Sequence, residues 1–282
     1  MATQTSSMNA SNSSIANFKL WAEVIDNFFG TAGWTASADT GQLVWSTISV
    51  VPTTGNYVYK IWKMADTLQS TLPVYCKMEY GNVSTFPSIA ITFGTGSDGA
   101  GNITGAGARF VHSCAAVVST TTLTSYFSGS TNRISMMLWE NDADLAAQFA
   151  MQCERHHDNS GNDLATYFFT AMCDSSNVQQ QSIRVGAAVP TEGKLLAMMP
   201  QTNTSGAFDS TDWFCPIFPF VGKMDNPAIM GVVKQGDATE AQTVTLTMYG
   251  TSHTMICSTK TSYEYVSAIS TAAPAALCVR FE

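Results

Sequence analysis

The first periodic pattern along the chain begins near Ile15 and is helical. Its apolar positions are Phe18, Trp21, Ala22, Ile25 and Phe28 or Phe29, which follow a spacing of three to four residues. Ser14 or Asn17 can cap the start of this helix, and Gly30 can end it. We expect its apolar face to pack on the same domain. The alternative is a face that binds a partner, for which the candidate interface residues are Trp21, Ile25 and Phe28.

Beyond Pro73 the apolar positions recur every second residue, which is typical of half-buried β-strands. The segments with this alternation are 74–80, 88–93, 134–139, 148–155, 164–173, 243–249 and 253–258. The preceding segment 57–64 fits a strand or a helix, and 65–70 fits one helical turn. At least six short strands and one helix predict a mainly β fold. We expect an antiparallel β-sandwich-like core with an N-terminal α-helix and long irregular arms.

Three parts of the chain follow from these patterns. Residues 1–14 have no periodicity and predict a flexible or partner-ordered arm. Residues 15–72 form an N-terminal helical segment that packs on the core, and residues 73–282 form a β-rich domain. Within that domain, alternation fails at 174–216, which predicts a long irregular excursion. The excursion is either an ordered loop or an arm that reaches another subunit.

An apolar run follows this excursion at residues 213–220, with the sequence WFCPIFPF. Its two prolines, Pro216 and Pro219, argue against a central strand. Because large apolar patches are rare on the surface of a monomer, the run is either tucked against the core or buried by another chain. The candidate interface residues here are Trp213, Phe214, Ile217, Phe218 and Phe220.

The composition narrows the range of partners. Charged residues make up 12% of the chain, about half the usual share, and the net charge is −8. Hydroxyl side chains replace charge, with 34 Thr and 29 Ser. A negative chain without a basic run argues against nucleic acid bound through its phosphates. Without a signal-like start or a long apolar stretch, we expect a soluble protein with no membrane insertion.

Seven dispersed cysteines, none in a C-x-x-C pair, predict free buried thiols in a reducing compartment. Cys153, His156, His157 and Asp158 form the densest group of potential metal ligands. A zinc site usually needs a second short-spaced pair, which is missing, and the residues after His157 have turn character. We therefore predict no metal and interpret the histidines as loop residues.

The segment 94–99 reads GTGSDG and matches G-x-G-x-x-G after a predicted strand. A dinucleotide site would need a helix to begin at the third glycine, but the sequence continues with more glycines, which favours a long β connection. Nor does the chain contain a G-x-S-x-G elbow or a familiar cysteine-protease context. We predict no catalytic residue and no cofactor.

The chain resembles a family of tailed-bacteriophage virion structural proteins in three regions. These are residues 57–80 (YVYKIWKMADTLQSTLPVYCKMEY) with the following GTGSDGAGNITG loop, residues 153–163 (CERHHDNSGND), and residues 222–282 with the Asp225-Asn226-Pro227 turn and the final VRFE. The pieces cover about half of the chain and are strand and turn signatures, so they assign no functional residue. The family pattern usually has a less histidine-rich turn at His156-His157, which leaves a local role for this pair open.

This resemblance implies a tail- or baseplate-associated subunit that works through protein contacts and is not an enzyme. We expect a homo-oligomer in the virion, assembled in the host cytoplasm, with other tail, baseplate or fibre proteins as partners. The low charge supports this expectation, because it lowers the cost of burying extended interfaces. The alternatives are a capsid decoration protein and a host-recognition module. The second would bind a surface receptor or glycan through Trp34, Trp45 or Trp213.

Overall fold

The computed structural model describes residues 1–9, 14–84, 86–107, 109–114, 122–140, 149–157, 163–175, 178–185, 194–195, 199–200, 213–218, 228–234, 243–248, 251–257 and 275–282. Within these residues the chain is mainly β, with several antiparallel sheets and one α-helix. The predicted fold class, mainly β with an N-terminal helix, is therefore confirmed. Within the same ranges, no helix has the length and apolar character needed to cross a membrane.

In chain order the elements are β1 (Ala2–Asn9), α1 (Ile15–Thr31), β2 (Thr35–Ala36), β3 (Val58–Lys63), β4 (Tyr75–Val83), β5 (Phe86–Gly94), β6 (Gly96–Ser97), β7 (Ile103–Thr104), β8 (Phe110–Ser113), β9 (Thr122–Ser130), β10 (Arg133–Glu140), β11 (Phe149–His157), β12 (Asp163–Ser175), β13 (Val178–Val185), β14 (Lys194–Leu195), β15 (Met199–Pro200), β16 (Trp213–Phe218), β17 (Ala228–Lys234), β18 (Thr243–Met248), β19 (Thr251–Cys257) and β20 (Ala275–Arg280).

Helix α1 begins as the sequence predicts. Ser14 is the N-cap, and its hydroxyl accepts the backbone N–H of Asn17 at 3.2 Å. The helix does not end at Gly30 but continues to Thr31. The left-handed residue after the helix is Gly33, with φ of 93°.

Three sheets account for most strands. One has six strands in the order β1-β9-β10-β11-β12-β13, and a second has five in the order β2-β3-β4-β5-β8. A third, built from the C-terminal half, has the order β14-β16-β17-β20-β19-β18, with β15 also paired to β16. Strands β6 and β7 form a separate hairpin.

The main core lies between the six-stranded and five-stranded sheets, and α1 contributes aromatic rings to both. Trp21 contacts Tyr80 of β4 with ring centroids 6.2 Å apart, and Trp139 of β10 at 5.7 Å. Phe28 meets Phe127 of β9 at 5.2 Å. Because one apolar core joins both sheets and the helix, this part of the chain is a sandwich with α1 packed inside it.

The six-stranded sheet is buried on its other face as well, and there the side chains are largely polar, although Met137 and Ala150 are also buried on it. Along β10 the residues Ile134, Met136 and Leu138 belong to the main core, whereas Arg133 and Ser135 alternate with them and are also buried. The C-terminal residues cover this polar face, since Ser128 of β9 donates to the main-chain oxygen of Glu282 at 2.6 Å. The sheet thus has a mostly apolar face toward the main core and a largely polar face on its other side.

The predicted arm over residues 1–14 is corrected for its first part. Residues Ala2–Asn9 form β1, which pairs with β9 from Ala2↔Gly129 to Asn9↔Thr122. The side chain of Met8 is fully buried in the main core. This buried side chain, the packing of Ala2 on the same core and eight ladder positions hold the segment on its own chain.

The predicted segment 15–72 packs on the core but is not helical throughout. It contains β2 and β3, and the ambiguous segment 57–64 is a strand. The expected helical turn at 65–70 is a hydrogen-bonded turn, in which Leu72 N–H donates to the carbonyl of Leu68 at 2.8 Å.

The irregular excursion predicted at 174–216 is likewise corrected where the structure describes it. It contains β13, β14, β15 and the start of β16. Strand β16 also has neighbours on both sides despite Pro216. The ladder with β17 shifts register between Pro216 and Ile217, and the pairs with β14 and β15 lie on either side of Pro216. The strand accommodates the missing N–H at this irregularity.

Candidate functional site

The interface residues predicted on α1 lie inside the chain. Trp21, Ile25 and Phe28 are 0% exposed and belong to the main core. Because α1 is packed between two sheets, its apolar stripe is covered on all sides by the same chain. We therefore correct their assignment as interface residues, and the alternative of packing on the same domain is the one observed.

The second predicted interface, in the apolar run, is placed only by its main chain. Trp213, Phe214, Ile217 and Phe218 lie in β16, within the C-terminal sheet. Phe220 and the side chains of this run lie outside the described residues, so their interface role stays a prediction.

The edge of the six-stranded sheet is the candidate interaction site that the structure adds. Strand β1 pairs with β9 on one side and is the last strand of its sheet. Thr3, Thr5 and Ser7 are exposed, whereas the alternate residues turn toward the core, ending at Met8. Ser125 donates its hydroxyl to the Met8 sulfur at 3.3 Å, which fixes the end of the strand. Among the described residues, β1 has no strand on its outer side.

A buried carboxylate organises the main core at α1. Asp26 is 0% exposed and accepts four hydrogen bonds. The donors are the indole of Trp45 at 2.7 Å, the indole of Trp62 at 2.8 Å, the Tyr80 hydroxyl at 3.3 Å and the Lys60 ammonium at 3.3 Å. These donors come from β3, β4 and the loop before β3, so one carboxylate holds the helix to the five-stranded sheet.

This centre also affects the chemistry of its neighbours. Burial raises the pKa of Tyr80 well above its ordinary value, and the adjacent Asp26 charge raises it further. The Lys60 ammonium lies 4.6 Å from the centre of the Trp62 ring, a cation–π geometry. The arrangement satisfies buried donors and a buried charge together, which is the condition for keeping a carboxylate inside an apolar core.

The glycine-rich segment forms a hairpin and not the turn of a nucleotide site. The residues after Gly94 continue into β6 and β7, as expected for a β connection. The Asn102 side-chain amide and the backbone N–H groups of Asn102 and Ala100 donate to Asp98, and these bonds lower its pKa to about 2. A Cβ at Gly101 would lie 2.1 Å from the Tyr59 hydroxyl oxygen, and Gly101 has φ of 96°. This position therefore needs glycine.

The hairpin is bound to the loop before β3 through Asp39. Its carboxylate accepts the Ser97 hydroxyl at 2.7 Å and the Gly101 N–H at 3.1 Å. Burial would raise the pKa of Asp39, but hydrogen bonds from Ser37, Ser97 and Gly101 outweigh it and lower the pKa. Asp39 and Asp98 thus accept hydrogen bonds from groups that hold the hairpin and the neighbouring loop in place.

Charged side chains join the six-stranded sheet to the C-terminal residues. Arg133 of β10 donates to the main-chain oxygen of Glu282 at 2.7 Å and to the Ser128 hydroxyl at 3.0 Å. Arg280 bonds to Glu154 of β11 at 2.8 Å and forms an ion pair with Glu282. Burial, together with the nearby Arg280 charge, lowers the pKa of Arg133 to about 10. This cluster connects two sheets that do not share strand pairing.

A second buried ion pair connects β11 to the turn before β4. Arg155 is 0% exposed and forms a two-point ion pair with Asp66, whose side chain is 3% exposed. The same guanidinium donates to the Leu72 carbonyl at 2.8 Å. One arginine therefore closes the turn between β3 and β4 against the six-stranded sheet.

The other predicted chemical residues are placed as follows. Cys153 is fully buried in the main core, and burial raises the pKa of its thiol well above the ordinary value. His156 and His157 are the last residues of β11 and not the loop residues expected from the sequence; their side chains lie outside the described residues. Within the described ranges, no three His, Cys, Asp or Glu side chains are grouped so that they could hold a metal ion.

Two of the three tryptophans considered for receptor binding have structural hydrogen bonds. Trp34 is 3% exposed and donates its indole N–H to the carbonyl of Ser130 at 2.9 Å. Trp45 is half-buried and donates to Asp26. The side chain of Trp213 lies outside the described residues.

Sequence reasoning missed the buried charges. Asp26 interrupts the apolar stripe of α1, and Arg133 and Arg155 lie within or beside apolar alternation in β10 and β11. In a chain with only 12% charged residues, a charge inside an apolar pattern is a usable signal of a paired interior group. The pairing partners themselves carry no local signal.

Comparison of the chain with protein-family models, with curated proteins and with solved structures finds no match.

Proposed function

We propose that the chain is a structural subunit of a tailed-bacteriophage virion, associated with the tail or baseplate, that works through protein–protein contacts without catalysis. The resemblance to virion structural proteins supports this proposal. Its first region covers β3, the following turn and most of β4, and its second covers the approach to the β11–β12 hairpin. These are framework elements and not catalytic motifs, which agrees with a structural role.

The open edge of the six-stranded sheet is the observation that carries the assembly part of the proposal. Strand β1 presents main-chain donors and acceptors along Ala2–Asn9, and an extended partner can pair with them. Its exposed side chains are the small hydroxyl residues Thr3, Thr5 and Ser7, which leave room for such a partner.

The buried polar groups support a structural role in the same way. Asp26, the Asp66–Arg155 pair and the cluster around Glu282 each join separate elements of one chain. Their donors and acceptors are directed at each other and at the main chain. A framework held together like this suits a subunit that must keep its shape in an assembly.

Host recognition through aromatic side chains has less support. Two of the three tryptophans proposed for such a surface, Trp34 and Trp45, donate their indole N–H groups inside the chain. A tail or baseplate subunit remains the proposal that the open edge favours.

Virion membership is tested on particles of the phage whose genome encodes the chain. The particles are purified through two density gradients, and their proteins are quantified by mass spectrometry. We expect the chain in the particle fraction at a fixed ratio to the major capsid protein, and antibody labelling in electron micrographs at the tail or baseplate. A host protein of similar abundance in the lysate is the control for carry-over. If the chain is washed out of the particle fraction to the same extent as the host control protein, the proposal is overturned.

A further inference from the structure

Strand β1, which has no outer neighbour among the described residues, lacks the sequence features that usually protect an edge strand. Monomeric β proteins blunt such edges with charged residues, proline, bulges or very short strands. Ala2–Asn9 contains no Asp, Glu, Lys, Arg or Pro, and it runs for eight residues. Its ladder with β9 has no register shift over eight pairs. A neutral edge of this length with an unbroken register is a template for a further strand.

The sequence of β1 is complementary to itself in the antiparallel direction. When two copies face each other across a two-fold axis at Thr5, Thr3 lies opposite Ser7 of the second copy, and Thr5 lies opposite Thr5. These are the exposed positions of the strand, so all three pairs on that face are hydroxyl pairs, which are favourable neighbours in sheets.

The inner face matches equally well in this register. Ala2, which packs on the main core, lies opposite Met8 of the second copy, which pairs a small apolar side chain with a large one. Gln4 lies opposite Ser6, and these two residues already bond within one chain, with the Gln4 amide donating to the Ser6 hydroxyl at 2.9 Å. No charge faces a like charge at any of these positions.

We propose that β1 is a self-association site, where it pairs antiparallel with β1 of a second copy around Thr5. This pairing joins two six-stranded sheets into one continuous sheet, in which the β1 edge of each copy is covered by the other copy. The inference rests on the proposed function for its expectation of a protein partner, and it names that partner as a second copy of this chain.

Cysteine crosslinking tests the register directly. In the proposed pairing, Thr5→Cys places two thiols opposite each other, so mild oxidation with diamide yields a covalent dimer on a non-reducing gel. Thr3→Cys is the matched control, because its two thiols lie four residues apart, about 13 Å along the strand. A mixture of the Thr3→Cys and Ser7→Cys chains crosslinks where neither does alone. The unsubstituted chain gives the background, and Cys76, Cys114, Cys153 and Cys278 are buried.

Charge placed on the edge tests its role in solution. Light scattering of the full chain is expected to give twice the chain mass of 30.2 kDa. Thr3→Lys, Thr5→Lys and Ser7→Lys combined put like charges opposite each other and yield a monomer, with circular dichroism unchanged because these side chains face solvent. The control carries the same charges at exposed Ser46, Ser49 and Thr53 and stays dimeric.

The outcomes separate this inference from the proposed function. A monomeric full chain, or a dimer that Thr5→Cys does not crosslink, overturns self-association through β1 even if the chain is present in virions. A crosslinked dimer that is absent from purified particles supports the β1 pairing and overturns virion membership.

Discussion

Trp62 donates its indole N–H to the Asp26 carboxylate at 2.8 Å across 36 residues of sequence, and both side chains are buried. This bond fixes α1 to β3 inside the main core. The Asp26 carboxylate also accepts hydrogen bonds from Trp45, Tyr80 and Lys60. The helix position therefore depends on one side chain that several elements share.

Replacing Asp26 is expected to destabilise the fold strongly. Asp26→Ala leaves the buried Trp62 N–H and Tyr80 hydroxyl and the half-buried Trp45 N–H without their acceptor. The expected loss is about 3–5 kcal/mol in the free energy of unfolding, measured by urea titration. Asn27→Ala, on the exposed side of the same helix, is the control and should change stability by no more than about 0.5 kcal/mol. Equal effects of the two substitutions would show that Asp26 does not hold the helix in place.

The buried pair Asp66–Arg155 is expected to show strong coupling. Arg155→Leu and Asp66→Leu each leave one buried charge without its partner, at a cost of about 3–5 kcal/mol. The double variant removes both charges and should lose clearly less than the sum of the single losses. A double-mutant cycle from urea unfolding measures the difference.

The exposed pair Arg109–Glu79 is the control for this cycle. Arg109 has a side-chain exposure of 44%, so the coupling energy there should be at most about 1 kcal/mol. If the single losses at Asp66 and Arg155 simply add, the turn before β4 is not held by this ion pair.

The elements that the sequence predicts well are those with a local apolar period. Helix α1 is recognised because its apolar stripe and its Ser14 cap lie within one short segment. Strand β1 escapes recognition because Thr3, Thr5 and Ser7 alternate with residues that are also mostly small or polar, so neither face looks apolar. Met8 is the one large apolar residue on its inner side, and one such residue does not make a period.

The candidate site is harder to predict because its contacts are distant in sequence. The edge of a sheet is defined by which strands pair, and β1 is an edge only because it adds to β9, over a hundred residues away. The donors to Asp26 likewise come from positions 19 to 54 residues further along the chain. Spacing rules relate residues within a few helical turns or one hairpin. They therefore do not predict contacts between residues this far apart in the sequence.

Alanine substitutions at Gly81 and Gly30 are expected to change stability in opposite directions, because only Gly81 lacks room for a Cβ. A Cβ at Gly81 in β4 would lie 2.3 Å from the Tyr57 ring, so Gly81→Ala should destabilise the chain by about 1–3 kcal/mol. Gly30 is inside α1, and its Cβ would meet only the Trp62 ring at 3.7 Å. Gly30→Ala should therefore be neutral or stabilising by up to about 1 kcal/mol. Thermal unfolding of both variants checks the two signs, and a destabilised Gly30→Ala would mean that the Trp62 ring leaves no room for a Cβ at this position.

The Glu282 cluster is expected to make stability depend on acid pH. Burial would raise the pKa of Glu282, but the His253 and Thr254 hydrogen bonds and the Arg280 charge outweigh it and lower the pKa from 4.5 to about 2. Because the folded chain binds this proton less readily than the unfolded chain, the stabilisation is complete above pH 4.5 and is lost as the pH falls toward 2.

Glu282→Gln removes this dependence. The free energy of unfolding of the unsubstituted chain should exceed that of Glu282→Gln at neutral pH, and the difference should shrink as the pH falls from 4.5 to about 2. Urea titrations across this range measure the difference, and Glu23→Gln on α1 is the control for loss of a carboxylate elsewhere. A difference that stays constant over the acid range would mean that the carboxylate charge of Glu282 does not hold the C-terminal residues to the polar face of the six-stranded sheet.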